Sequence, residues 1–171
     1  MILKIAGGVL LILSCWLVGY CMALNLKIRK QSLQDVKVAL LEFKNQIAYA
    51  GVSLSEAFAE VAAQIRVPAS GLFDEFSRNV GGDKPVPEVW NGAVDSVSEH
   101  LSLNPDDKRL IQDFGKMLGN SDMDGQISNI EMTIERLEIQ IKESYDKEKK
   151  MGTIFKFAGV AAGVALTLIL L

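Results

Sequence analysis

The sequence predicts an all-α fold: a small antiparallel bundle of about six helices, flanked at both ends by transmembrane helices. Three observations lead there. Between residues 31 and 150 apolar residues recur every three or four positions, the period of a helix with one buried face. No segment shows the sustained alternation of a strand. The chain also opens and closes with long apolar runs, 5–26 and 154–171. At about 1.5 Å of rise per residue, each roughly matches the hydrocarbon thickness of a bilayer.

The first run follows Lys4 and extends to Leu26. It is too long for the apolar region of an ordinary signal peptide, and an uncleaved membrane helix is expected. Leu13 fits poorly as part of a lipoprotein cleavage site ahead of Cys15. Cys15, Gly19 and Ala23 are spaced by four, so they share a helix face on which small residues permit close approach. The next stretch, 31–49, carries Leu33, Val36, Leu40, Phe43 and Ile47 at helical spacing. No Pro or Gly separates it from the membrane run, so one continuous helix is expected, ended by Gly51.

Ser53 and Glu56 form a capping box: the serine caps a helix start and the glutamate reaches back. The helix they open turns Leu54, Phe58, Val61 and Ile65 inward, and Pro68 stops it. A short helix follows around Leu72, Phe73, Phe76 and Val80, then a loop at Gly81 and Gly82. Pro87 suits the first turn of a helix carrying Trp90, Ala93, Val97 and Leu101. Asn104 caps the next, with Pro105 in its first turn and Asp106 and Asp107 at its positive dipole end. Its apolar side is Leu110, Ile111, Phe114, Met117 and Leu118, and Gly119 closes it. The last helix of the bundle spans about 122–150, with Ile127, Ile130, Ile134, Leu137, Ile141 and Tyr145 on one stripe, and Gly152 is expected to hinge it from the final run. In that run Gly159 and Gly163 make a GxxxG, a contact face for packing within the chain or between copies.

The expected organisation is therefore a membrane helix at 5–26, a helical domain at 31–150 and a membrane helix at 154–171. The 171 residues carry a net charge of −3, but unevenly. From Gln31 to Asp146 there are ten basic residues against twenty acidic ones. Six of the other eight bases crowd between the apolar runs and that stretch: Lys27, Arg29 and Lys30 at one end, Lys147, Lys149 and Lys150 at the other. An acidic body argues against nucleic acid as a partner. Bases beside the membrane suit anionic headgroups. By the positive-inside rule both helices place the middle of the chain in the cytoplasm.

The chemistry of catalysis is missing from the sequence. There is no P-loop, dinucleotide fingerprint, nucleophile elbow or Cys/His metal cluster. The single histidine, His100, has no base, nucleophile and oxyanion hole around it, so no enzyme and no cofactor is expected. One near-motif stands out: 120–131 fits part of an EF-hand calcium loop, with Asp122, Asp124, Gly125 and Glu131 at ligand or turn positions and Asn120 in place of the first aspartate. The competing reading is a helix–helix turn with Asp122 as N-cap.

Two stretches carry a family resemblance. One is Gly51, Val52, Ser53, Leu54, Ser55, Glu56, Ala57; the other joins Phe114, Gly115, Leu118, Gly119 and Asp122 to Gln126. With these the chain resembles the stage III sporulation protein AB family of endospore-forming bacteria, although Ser53 stands where many members have Pro. That family is similar to the cytoplasmic helical domains of the platform F component of type II secretion systems. The resemblance implies a scaffold in the mother-cell membrane facing the forespore. It further implies a secretion-like complex with a secretion-type ATPase and other stage III subunits as partners. For Gly51, Ser53, Glu56, Phe114, Gly115, Leu118, Gly119, Asp122 and Gln126 it leaves two roles open, fold or docking.

Overall fold

The computed structural model of the protein describes residues 2–49, 53–119 and 122–170. Six helices follow one another: α1 (Ile2–Tyr49), α2 (Leu54–Gln64), α3 (Ser70–Asn79), α4 (Val86–Val97), α5 (Pro105–Gly115) and α6 (Met123–Leu170). No strand occurs among the described residues. The apolar runs are not separate helices, since each is continuous with the outermost helix of the bundle. Gly152, expected as a hinge, lies inside α6, where it costs about 1 kcal/mol relative to alanine without ending the helix. Gly51 and Ala50 lie outside the described residues.

By internal contacts the chain divides into two compact units, Met1–Lys30 with Glu143–Leu171, and Gln31–Lys142. The second holds the core. The stripe of α1 delivers Leu33, Val36, Leu40 and Phe43 into it, fully buried. Six rings, Phe43 among them, pack there: Phe58 meets Phe43 at 4.3 Å, Phe76 at 4.7 Å and Phe73 at 6.0 Å between centroids. Trp90 lies 5.3 Å from both Phe76 and Phe114, edge to face. Such pairs add about 0.5–1.5 kcal/mol each beyond area burial. Leu101 is buried as expected, but from the turn after α4, because the helix has already ended at Val97. Met117 departs from its expected apolar side: it is 39% exposed.

The helix starts follow local chemistry. Ser53 and Glu56 make the full capping box, and the hydrogen bonds from Ser53 hold the Glu56 carboxyl below its ordinary range. A depressed carboxyl contributes stability above its unfolded value and loses it as pH falls through the folded one. Asn104 makes a second capping box with Asp107, an acid the sequence reading assigned only to the dipole. Between α1 and α6 of this unit, Lys37 meets Glu138 and Lys44 meets Glu131, both at 2.6 Å, as antiparallel neighbours must.

Among the buried polar atoms of this unit without a hydrogen-bond partner, which include those of Ser32, Gln46 and Asn91, the Asp35 carboxylate is the one that titrates. Asp35 on α1 has a carboxylate oxygen shut from water with no hydrogen-bond partner among the described residues. Burial pushes its pKa up, and the charge of Arg66 acts the other way. Because the folded value is the higher one, the ionised carboxylate costs stability at neutral pH, and the cost disappears as pH falls below the unfolded value, about 4. Asp35→Asn is therefore expected to raise the melting temperature at pH 7, with the gain gone near pH 4. Melts at the two pH values check this, and a lower melting temperature at pH 7 would contradict it.

Candidate functional site

The residues singled out by sequence fall into two places, one in each unit. In the second unit the structure brings the two motif stretches together. Gly119 has φ +74°, a conformation that suits glycine, and a Cβ there would lie 3.5 Å from the side chains of Leu54 and Val86. Leu54 directly follows Ser53, so the start of α2 and the end of α5 share one corner.

Each motif residue has a physical task in that corner. Phe114 and Leu118 are buried in the core. Gly115 is helical, and its reason is space rather than conformation: a Cβ would overlap the indole of Trp90, coming within 2.9 Å even of the Trp90 Cβ. The last carbonyls of a helix lack intrahelical partners, and side chains from other elements supply donors to α5 and to the turn that follows it. Asn129 Nδ2 donates to the Phe114 carbonyl at 3.0 Å, and Gln126 Nε2 to the Met117 carbonyl at 2.8 Å. Trp90 Nε1 donates to the Ile111 carbonyl at 2.7 Å. Asp122 Oδ1 accepts from the Gly125 N–H at 3.0 Å and caps α6. Ser53, Glu56, Gly119 and Asp122 remain exposed at this corner, and Gln126 is half-buried. Gly51 lies outside the described residues.

Sequence reading missed Trp90 and Asn129 as members of this site. Asn129 left a signal: an amide next to Ile130, on a buried stripe, needs a partner. Trp90 left none, since it reads as ordinary core.

The calcium-loop reading is overturned by geometry. Residues 123–131 are helix, where an EF-hand needs an irregular loop to turn its ligands inward. Glu131, the expected bidentate ligand, is paired with Lys44 at 2.6 Å. Asn120 lies outside the described residues. Among the described residues no three His, Cys, Asp or Glu are grouped to hold a metal. His100 is exposed in the turn after α4.

The other place is the seam of the first unit, where α1 and α6 run antiparallel. A Cβ on Gly159 would stand 2.6 Å from the Cys15 carbonyl oxygen, and one on Gly163 would stand 2.7 Å from Ile12 Cα. A Cβ on Gly19 would overlap the Phe155 carbonyl oxygen, and one on Gly8 would lie 2.6 Å from Thr167 Cγ2. Thr167 Oγ1 donates its one proton to its own helix at the Gly163 carbonyl, 2.8 Å, and lies 3.3 Å from the Gly8 carbonyl. Gly159 and Gly163 thus face the other helix of the same chain, together with Cys15, Gly19 and the buried Ala23. Gly8 is an addition to the expected face. Among the described residues one helix, α1, is long and apolar enough to cross a membrane.

Beside the seam lies a charged collar. Lys30 Nζ is 2.6 Å from Glu148 and 5.7 Å from the centre of the Tyr145 ring. Tyr145, expected on the buried stripe of α6, is 52% exposed there. Glu143 is held below the ordinary glutamate range by its hydrogen bond and charge pairing with Lys147.

Comparison with known proteins agrees with this architecture. The profile of the family described as stage III sporulation protein AB matches residues 4–171. Stage III sporulation protein AB of Bacillus subtilis (strain 168) is 26% identical over 170 residues, 99% of each chain. A solved structure of stage III sporulation protein AB superposes with a TM-score of 0.67 at 24% identity, over 72% of this chain and 98% of the solved one.

Proposed function

Because the chain belongs to the stage III sporulation protein AB family, we propose that it is a non-catalytic platform subunit of a secretion-like complex required for endospore formation. In this reading it links a cytoplasmic ATPase to a channel between mother cell and forespore. It would be held in the mother-cell membrane by residues 5–26 and 154–171, with the 31–150 domain in the cytoplasm. The match of the family profile over residues 4–171 carries the proposal. Two features support it. The two helices that bear the apolar runs, α1 and α6, also supply Leu33, Val36, Ile130 and Leu137 to the core of the second unit. The side chains at the motif corner are engaged in capping and packing, the chemistry of a scaffold. The exposed members of that corner, Ser53, Glu56, Gly119 and Asp122, are the surface assigned here to partner subunits.

The test is deletion of the gene in a spore-forming host, followed by complementation with the tagged full-length chain. Engulfed forespores should arrest without it and recover with it, and a secretion-type ATPase should co-purify from the recovered cells. Normal spores in the deletion strain would overturn the proposal, and recovery without any ATPase in the purified complex would remove the motor linkage.

A further inference from the structure

We propose that the first unit carries a binding site for the phosphate of an anionic phospholipid, built from Lys27 of α1 and Lys149 of α6. The inference rests on the membrane-anchored reading above and adds a ligand to it.

A cavity of about 520 Å³ opens between α1 and α6 of this unit. Its volume lies in the ordinary range for small-molecule sites, about 300–1,000 Å³. Its walls are graded. Tyr20, Ala23 and Leu24, from the end of the apolar run, line one part; Lys27, Lys30, Glu148 and Lys149 line the other. The charges do not cancel. Glu148 neutralises Lys30 at 2.6 Å. Lys27 and Lys149 line the same cavity with no carboxylate partner among the described residues, which leaves two positive charges there. An ammonium is a compact point charge suited to phosphate, and each is carried on a flexible four-carbon stem.

Position selects the source of that phosphate. Lys27 directly follows the apolar run that ends at Leu26, and Thr153, also on the cavity wall, directly precedes the run that begins at Ile154. In a membrane-spanning hairpin this is the level of the headgroups. The apolar wall of Tyr20 and Leu24 would lie along the glycerol and upper acyl chain, while the lysines hold the phosphate. A zwitterionic lipid would bring its own cation next to two ammonium groups, so a net negative headgroup is favoured.

The experiment uses the purified full-length chain in detergent, with palmitoyl-oleoyl phosphatidylglycerol and the matching phosphatidylcholine as probes, and native mass spectrometry to count retained lipid. The chain is expected to retain phosphatidylglycerol in preference to phosphatidylcholine. Lys27→Gln or Lys149→Gln should weaken retention about fivefold, and the pair about thirtyfold, at the usual strength of one lysine near an anionic headgroup. The Lys→Arg pair should keep most of the binding, and Lys84→Gln, in the second unit, should change nothing. Equal retention of both lipids, or full retention by the double Gln variant, would overturn the site. Displacement by inorganic phosphate at comparable concentration would make it a free-phosphate site and overturn the lipid assignment. Alkaline carbonate extraction of cell membranes reads the anchoring separately. A chain released by carbonate sinks the membrane reading itself, whereas a resistant chain without lipid preference sinks only the headgroup site.

Discussion

Gly115→Ala is expected to destabilise the second unit by about 2–3 kcal/mol, the upper range for overpacking a filled core. The added methyl group has nowhere to go. It would overlap the Trp90 indole, and that ring is pinned twice: its Nε1 donates to the Ile111 carbonyl, and it packs against Phe58, Phe73, Phe76 and Phe114. Either the indole swings and gives up a buried hydrogen bond, or α5 moves away from α4 and loosens the ring cluster. Gly92 is the control. It lies on α4, where a Cβ would meet nothing within 4 Å, so Gly92→Ala should stabilise by up to about 1 kcal/mol through helix propensity alone. Thermal melts of the full-length chain, followed by near-ultraviolet circular dichroism from the buried tryptophan, should separate the two variants by more than about 10 °C. Equal melting temperatures would show that Trp90 can yield, and that the glycine serves some purpose other than space.

Gly159→Ile should part the two helices of the first unit, at a cost of about 3 kcal/mol. The obstacle is the backbone itself. A Cβ at Gly159 meets the Cys15 carbonyl, and one at Gly19 meets the Phe155 carbonyl, so no side chain can rotate aside. Close approach between small residues is the main source of helix association in lipid, where apolar burial between helices gains little. Spin labels at Val9 and Leu166, both exposed, should report a longer and broader distance distribution in the variant. Gly152→Ala in the same helix meets nothing within 4 Å and should leave that distribution unchanged. A variant hairpin as tight as the wild type would mean that the GxxxG works between copies instead.

Periodicity and capping chemistry are local, and they were legible. The stripes of α1 to α5, the capping box at Ser53 and Glu56, the Asn104 cap and the Asp122 cap all follow from residue types a few positions apart. So do the apolar runs at either end, and the continuity of α1, for which the absence of Pro and Gly sufficed. The sequence by itself therefore determined that the chain is helical, where most helices begin, and, Met117 and Tyr145 apart, which face of each is apolar. It could not say what each glycine is for. Gly115 and Gly119 stand four apart in one motif and look alike on paper; one is helical and makes room for Trp90, while the other turns the chain at φ +74°. Gly152 and Gly159 likewise share a helix, yet only the second touches another backbone. The partners that distinguish them lie far away along the chain, and which partner arrives depends on how the helices are brought side by side. The same holds for 120–131, whose residue types admit a calcium loop until the helix through 123–131 and the Lys44–Glu131 pair exclude it. Those decisions belong to the tertiary structure because they are made by contacts between elements, and a contact between elements has no fixed spacing in sequence.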